Sequence, residues 1–181
     1  MTPEPSDEIL MQAWAAGDAS AFEVLYRRHR STLYGFLMRS LGRRDQADDC
    51  FQDVWGRVIR ARDSYRPEAK FTTWLLQIAH HLLIDRHRRQ RPDVPLDAVA
   101  EPEQPADDDA ASPETLLSAF EQHRRLRTVV AALPLEQRNA LLMRLDQELS
   151  LEEIAHITGV GRETVKSRLR YAMDKLKDAL S

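Results

Sequence analysis

The densest set of side chains able to bind phosphate groups and base edges lies between residues 162 and 170. A helix that turns Val165 and Leu169 inward exposes six donors here: Arg162, Thr164, Lys166, Ser167, Arg168 and Arg170. Guanidinium, ammonium and hydroxyl groups donate hydrogen bonds to phosphates and to guanine edges in a major groove. An ordinary helical hairpin with a solvated basic face is the alternative. The density of donors favours DNA binding.

The residues before this helix carry the signals of a helix-turn-helix. Ser150 is a preferred N-cap, and Glu153 follows three residues later, which is a capping box. The predicted helix over residues 151–158 ends at Gly159, where a tight turn requires a residue tolerant of positive φ. A second helix begins near residue 161, and a short glycine-containing turn between two helices is typical of a helix-turn-helix.

A second cationic stretch covers residues 66–91. Four arginines occur between positions 86 and 91, more than the neutralisation of a helix C-terminus requires. Lys70, Phe71 and Trp74 combine a cation with aromatic rings, a combination that holds unstacked bases on single strands. Phe71 and Trp74 are equally consistent with core positions at i and i+3, and the sequence leaves both interpretations open.

The predicted helix over residues 45–62 has an acidic surface. Asp48, Asp49, Gln52 and Asp53 lie on it, with Trp55 one turn further on. The helix dipole explains acidic residues in the first turn, but not Gln52 and Asp53. Because an acidic face repels DNA, this surface suits a basic protein partner better.

Catalytic and metal-binding constellations are not predicted. Cys50 is the single cysteine, so a cysteine-rich zinc site and an internal disulfide are excluded. His81 and Asp85 share a helix face, but no third ligand stands in register with them. The sequence therefore predicts a protein that is not an enzyme and needs no cofactor.

Charge divides the chain of 181 residues into three parts. Residues 1–91 have a net charge of +3, residues 92–115 of −8 and residues 116–181 of +2. The acidic part also holds five of the nine prolines, and such a composition favours a flexible, extended linker. We predict domains over residues 1–91 and 114–181 joined by a linker over 92–113. The alternative is one domain with a long acidic loop, which is disfavoured because loops of that length are uncommon in compact domains.

The fold class is predicted to be all-α, with a first domain of three or four helices and a smaller second one. Helix starts are expected at Ser6 or Asp7, after Gly17-Asp18, at Asp45, at Phe71, at Pro113 and after Pro134. Ile9, Leu10, Ala13 and Trp14 are expected to share the buried face of the first helix. The last two helices are expected to be short and to be followed by a basic tail. No apolar run approaches the roughly 18 residues of a membrane span, and the acidic N-terminus is unlike a signal peptide, so a cytoplasmic location is expected.

These motifs resemble bacterial sigma factors of the sigma-70 superfamily, in particular the extracytoplasmic-function (ECF) group. Residues 48–55, Asp-Asp-Cys-Phe-Gln-Asp-Val-Trp, resemble region 2.2. Residues 71–79, together with Asp85, Arg88 and Arg89, resemble regions 2.3 and 2.4. Residues 134–172 resemble region 4, and the acidic linker in place of a middle domain is typical of the ECF group.

The resemblance implies a function and a set of partners. Such a protein binds the clamp and flap regions of core RNA polymerase, recognises −35 and −10 promoter elements, promotes strand opening and is held by an anti-sigma factor. The implied polymerase-binding residues are Asp48, Asp49, Gln52, Asp53 and Trp55. The implied −10 residues are Lys70, Phe71, Thr73, Trp74, His81, Asp85, Arg88 and Arg89. The implied −35 residues are Arg162, Thr164, Lys166, Ser167 and Arg170.

Three positions depart from the family pattern, the mildest being Arg170 before Tyr171, where related helices vary, and one other class of protein stays open. His81 stands where the family usually has Asn, which bears on the −10 base preference, and Cys50 stands at a usually aliphatic position. The alternative is a DNA-binding regulator, with a helical sensor domain tethered to the helix-turn-helix, that dimerises on palindromes without polymerase. That alternative leaves the acidic helix and the cations of the first domain unexplained.

Overall fold

The fold is described from a computed structural model, which covers residues 4–93 and 114–181. The predicted linker over residues 92–113 lies almost wholly outside the described residues. We call residues 4–93 the N-terminal half and residues 114–181 the C-terminal half.

Every regular element in these two ranges is helical, which confirms the all-α prediction. The N-terminal half contains α1 (Asp7–Ala15), α2 (Ala19–Leu41), α3 (Arg44–Arg60), a 3₁₀ turn (Arg62–Ser64) and α4 (Phe71–Gln90). The C-terminal half contains α5 (Glu114–Ala132), α6 (Leu135–Leu145), α7 (Leu151–Thr158) and α8 (Arg162–Leu180).

Local capping chemistry sets most of the helix boundaries. The Ser6 hydroxyl accepts a hydrogen bond from the Ile9 N–H, and the Asp18 carboxylate accepts one from the Ser20 N–H. Gly42 ends α2 with a φ of 71°, a left-handed conformation that favours glycine. The expected cap at Asp45 was wrong. Helix α3 begins at Arg44, and the Asp45 carboxylate instead pairs with Arg43 at 2.9 Å.

The core of the N-terminal half gathers apolar side chains from all four of its α-helices. Its largest fully buried members are Met11, Leu25, Leu33, Phe36, Leu37, Val54, Phe71 and Leu83. The buried face of α1 differs from the prediction, because Ile9 is 56% exposed while Met11 is completely buried. Helix α1 is apolar at several adjacent positions, and its packing against α2 selects the face through residues 10, 11 and 14.

The C-terminal half is held together by the packing of α8 against α5, α6 and α7. Leu133, Leu141, Ala172 and Leu176 form a small cluster of their own on this side of the fold. The expected short final helix with a basic tail was wrong, since α8 runs without interruption for 19 residues. Neither glycine nor proline occurs after Gly161, so nothing in the sequence ends the helix earlier.

The two halves pack against each other and share one core. Helix α4 contacts α7, and α2 contacts α6. Ala140, Leu142, Met143, Ile154 and Ile157 of the C-terminal half belong to the same buried cluster as Phe36 and Phe71. An ion pair of 2.6 Å between Arg39 and Asp146 adds a polar contact at this boundary. Within the described ranges, no helix combines the length and the apolar character that a membrane crossing requires.

Candidate nucleic-acid and protein interfaces

The helix-turn-helix over α7 and α8 is built by its own local sequence. The Ser150 hydroxyl accepts a hydrogen bond from the Glu153 N–H at 3.1 Å, and the Glu153 carboxylate accepts one from the Ser150 N–H at 2.8 Å. This second bond lowers the pKa of Glu153. Gly159 ends α7 with a φ of 70°, so the predicted capping box and turn are both confirmed and fix where α8 begins.

The predicted DNA-binding side chains of α8 lie on its outward side. Arg162, Thr164, Lys166 and Arg170 are exposed, and Ser167 is half-buried. Several of them hold partners within the chain: Arg162 pairs with Glu152 at 3.1 Å and Lys166 with Glu163 at 2.8 Å. Exposed pairs of this kind contribute little free energy, so phosphate oxygens can replace the carboxylates.

Ser167 and Arg168 have structural contacts. The Ser167 hydroxyl donates to the backbone carbonyl of Glu163 at 3.0 Å, which engages its proton and leaves its lone pairs to accept a hydrogen bond from a base. Arg168 lies 3.1 Å from the Glu136 carboxylate, and both side chains are largely buried. Arg168 therefore fixes α8 to α6 and does not belong to the exposed cationic face.

Four predicted residues of the acidic surface on α3 are accessible. Asp48, Asp49, Gln52 and Asp53 are exposed. The Tyr34 hydroxyl donates to Asp48 at 2.6 Å, which raises the pKa of Tyr34, and Arg86 pairs with Asp53 at 2.7 Å. These contacts hold two of the carboxylates in place and leave Asp49 and Gln52 without a described partner.

Trp55, the fifth residue predicted for this surface, is only 5% exposed. Its ring packs against Tyr26 with a centroid distance of 5.0 Å and edge-on against Phe22 at 5.8 Å. Phe51 joins the same cluster through Tyr26 and Tyr34. In this arrangement Trp55 fixes α3 to α2 beneath the acidic surface, and the carboxylates above it carry the exposed polar contacts.

The start of α4 separates residues that the sequence places together. Lys70 is exposed, whereas Phe71 is completely buried and Thr73 is 4% exposed. Trp74 is half-buried and packs edge-on against Tyr65 at 4.9 Å. Of the two interpretations left open for Phe71, the structure supports the core position. Of these residues, Lys70 is exposed and Trp74 is partly accessible.

The C-terminal part of α4 presents the remaining predicted −10 residues. His81, Arg88 and Arg89 are exposed, and Asp85 is half-buried. The Arg89 guanidinium donates to the backbone carbonyl of Asp85 at 3.3 Å, which is a contact within its own helix. His81 and Asp85 gain no further ligand, since the described residues contain no group of three side chains suited to a metal ion.

Glu8 is a positioning residue that the sequence analysis missed. Its carboxylate accepts a hydrogen bond of 2.7 Å from the Phe71 N–H, which is the first of α4. This bond lowers the pKa of Glu8. The two residues are 63 positions apart, and no local pattern links them.

Two family profiles match the chain. Sigma-70 region 2 matches residues 25–92, and Sigma-70, region 4 matches residues 129–178. The first match covers most of α2 with all of α3 and α4. The second covers the end of α5, then α6 and α7, and nearly all of α8. The predicted DNA-binding and polymerase-binding residues all fall within these matches.

Curated relatives are similar over almost the whole chain. The ECF RNA polymerase sigma factor SigM of Mycobacterium tuberculosis is 33% identical over 175 residues, which are 96% of this chain and 84% of that protein. The ECF RNA polymerase sigma factor SigW of Bacillus subtilis is 32% identical over 170 residues, with 91% of each chain covered.

Solved structures are similar in fold. The structure of CnrH in complex with the cytosolic domain of CnrY superposes with a TM-score of 0.70, at 24% identity over 97% of both chains. The sigma factor RpoE of Bartonella quintana, solved with the anti-sigma factor NepR, superposes with a TM-score of 0.66. That match is 22% identical and covers 88% of this chain and 96% of RpoE.

Proposed function

The chain belongs to the ECF group of the sigma-70 family. From this premise we propose which of its surfaces bind promoter DNA and which bind core RNA polymerase. A sigma factor directs RNA polymerase to promoters at transcription initiation. The observation that carries the proposal is the exposed cationic face of α8, held by a helix-turn-helix within the region 4 match.

The helix-turn-helix binds the −35 element, with α8 in the major groove. Lys166, Ser167 and Arg170 are the base-reading residues, while Arg162 and Thr164 hold phosphates and set the register. Their exposure supports this assignment for all but Ser167, which is half-buried and whose proton is engaged by the Glu163 carbonyl.

The face of α4 and the loop before it bind the −10 element. Lys70 and Trp74 lie at the loop that receives an unstacked base, and Arg88 and Arg89 hold the backbone. Thr73 and Phe71 support this loop from inside the core. His81 and Asp85 contribute to the base preference. Stacking of a base on an aromatic side chain contributes roughly 1–3 kcal/mol. This contribution offsets the cost of unstacking the duplex, which is a few kcal/mol per base step.

The acidic surface of α3 binds the clamp of core RNA polymerase. Asp48, Asp49, Gln52 and Asp53 supply charge for a basic partner, and Trp55 keeps their helix rigid from below. The C-terminal half contacts the flap. Neither surface contributes catalysis, since the chemistry of RNA synthesis belongs to the polymerase.

The packing of the two halves describes the free protein before it joins polymerase. Helix α7 covers part of α4, and Lys70 is paired with Glu153 of α7. Binding of both promoter elements requires these contacts to be exchanged for DNA. We call the arrangement with the two halves packed together the closed form. From family membership we propose that an anti-sigma factor binds and stabilises this form.

The test is run-off transcription with purified chain, sigma-free bacterial core polymerase and sheared genomic DNA, followed by sequencing of 5′ ends. We expect discrete starts that share two upstream motifs and that disappear without the chain. Lys166→Ala is expected to reduce these starts, whereas Lys177→Ala, an equal charge change on the exposed end of α8, leaves them. A footprint from the chain alone with no discrete starts would instead establish the DNA-binding regulator.

A further inference from the structure

Both ends of the loop over residues 65–70 are anchored to α1. Before the loop, the Arg62 guanidinium of the 3₁₀ turn lies over the Trp14 ring, 5.7 Å from its centroid. After the loop, the Glu8 carboxylate accepts a hydrogen bond of 2.7 Å from the Phe71 N–H. Fixing both ends of so short a loop reduces the number of conformations that are open to it.

A second contact joins α1 to Phe71 through the phenyl ring. His29 Nε2 lies 2.7 Å from Asp7 Oδ2, and the His29 ring packs against the Phe71 ring with a centroid distance of 5.1 Å. Because an ionised carboxylate only accepts hydrogen bonds, Nε2 is assigned as the nitrogen that donates. The Asp7 and His29 side chains are 19% and 13% exposed, so salt screens this pair less than an exposed one. Asp7 therefore sets the orientation of the His29 ring against which Phe71 packs.

Arg28 holds Asp7 itself in place. Its guanidinium donates to Asp7 Oδ1, to the Glu4 carboxylate and to the backbone carbonyl of Pro5, each at 2.9 Å. The two oxygens of Asp7 are thus divided between Arg28 and His29, which are neighbours in α2. The Glu4 side chain is 87% exposed, and no hydrogen bond or ion pair within the described residues joins it to His29.

Aromatic packing links Phe71 to the accessible groups of this loop. Tyr65 packs edge-on against Phe71 at 6.5 Å and against Trp74 at 4.9 Å. Lys70, which directly precedes Phe71, is exposed, and Trp74 is partly accessible. A displacement of Phe71 therefore moves both of the groups to which we assign the unstacked base.

We propose that α1 is a positioning element for capture of the −10 strand, with Asp7 acting through His29 and Glu8 acting through the Phe71 N–H. The inference rests on the proposed function, because it concerns the same loop. Helix α1 ends before the Sigma-70 region 2 match, which begins at residue 25. A loop that is already held in its binding conformation loses less conformational entropy when it binds. The contacts of α1 thus increase affinity for the single strand without touching it.

The experiment measures binding of the reconstituted polymerase holoenzyme to two DNA fragments by fluorescence anisotropy. Both come from one promoter mapped by run-off transcription: the first is unpaired over the −10 element, and the second is a duplex that carries only the −35 element. Asp7→Ala is expected to weaken binding of the unpaired fragment about tenfold, equivalent to about 1.4 kcal/mol and within the contribution of one stacked base. Binding of the duplex should not change. Glu4→Ala is the matched control, since it also removes a carboxylate from Arg28, and it should leave both affinities unchanged.

His29→Gln tests whether Asp7 acts through the imidazole ring. The glutamine amide keeps a donor for Asp7 but removes the ring that packs on Phe71, so the unpaired fragment should bind as weakly as it does with Asp7→Ala. The double variant should show little further loss, because residues in one chain of contacts have effects that do not add. Urea unfolding and holoenzyme assembly are measured for each variant, since a shortage of folded chain would reduce binding of both fragments equally.

Two results would overturn the inference. One is binding of the unpaired fragment by Asp7→Ala and His29→Gln as tightly as by the unaltered chain, and the other is an equal loss on the two fragments. Failure of the proposed function gives a different result, in which the unaltered holoenzyme does not prefer the unpaired promoter fragment to one of scrambled −10 sequence. That result would contradict the assignment of the loop itself to the −10 element.

Discussion

Lys70 at the start of α4 forms an ion pair with Glu153 of α7, with 3.3 Å between Nζ and Oε1. The cation proposed for promoter opening is thus paired across the boundary between the halves. Glu153 has a second role, because its carboxylate also completes the capping box of α7. Glu153 therefore stabilises the start of α7 and also forms a contact that holds the two halves together.

Lys70→Ala is expected to reduce strand opening at the promoter while it leaves the free energy of unfolding nearly unchanged. The Lys70 side chain is 75% exposed, and exposed pairs contribute under about 1 kcal/mol, so the free energy of unfolding in urea should change little. Loss of the cation should reduce strand opening at the −10 element, measured by permanganate reactivity of unpaired thymines in the polymerase complex. Glu153→Gln leaves Lys70 unchanged and introduces an amide suited to the capping box. Strand opening should therefore persist in this variant. Equal opening defects in the two variants would contradict this role for Lys70.

Glu8→Gln is expected to weaken the start of α4. The Glu8 carboxylate caps the Phe71 N–H; Gln keeps an acceptor oxygen for this bond but removes the negative charge, whose interaction with the helix N-terminus contributes about 0.3–1 kcal/mol. That bond lowers the pKa of Glu8 below its ordinary value of 4.5. Its stabilisation is therefore complete above pH 4.5 and is lost as the pH falls through the lowered pKa.

The measurement is urea unfolding between pH 3 and pH 7 for both proteins. The difference in unfolding free energy should be largest at neutral pH and should shrink in acid. Glu23→Gln, the same change at an exposed position of α2, should unfold like the unaltered chain. A Glu8→Gln deficit that does not depend on pH would show that the carboxylate charge is unimportant.

The sequence predicts well those features whose cause lies within a few residues. Ser6, the Ser150–Glu153 capping box, Gly159 and Pro134 each act locally, and the structure confirms the boundaries that they imply. The all-α class follows from apolar periodicity in the same way.

Features that depend on distant parts of the chain were not predicted. Periodicity could not choose between Ile9 and Met11, because α1 is apolar on more than one face and its neighbours decide which face is buried. Periodicity places Trp55 on the buried side of α3, whereas the family resemblance places it among the polymerase-binding residues; its packing against Phe22 and Tyr26 shows that it lies in the core. The packing of the two halves has no local signal.

Arg138→Met is expected to loosen the boundary between the halves. The substitution removes the donors of three backbone carbonyls at the ends of α2 and α5, and buried unsatisfied acceptors cost roughly 1–3 kcal/mol each. We expect a loss of about 3 kcal/mol or more in the urea unfolding free energy. Arg144→Met, at an exposed arginine of the same helix that bonds one carbonyl, should cost less. A smaller loss for Arg138 than for Arg144 would contradict the assignment.

The His80 imidazole lies at the same boundary and is 2% exposed. Its Nδ1 is 3.3 Å from the Asn139 amide, and Glu136 lies 3.9 Å from Nε2. The Glu136 carboxylate is already engaged by Arg168, whose charge opposes protonation of the ring. Burial, with smaller contributions from His81 and Arg168, lowers the pKa of His80 to about 4.

Acid is therefore expected to destabilise the closed arrangement through His80. Between pH 6.5 and pH 4 the unfolded chain binds a proton at this residue and the folded chain does not, so stability falls as the pH falls. The full effect is about 3 kcal/mol. Urea unfolding of His80→Gln should lose this part of the pH dependence, while His156→Gln, at an exposed histidine of α7, should retain it. Parallel pH profiles for His80→Gln and the unaltered chain would show that His80 is protonated in the folded protein.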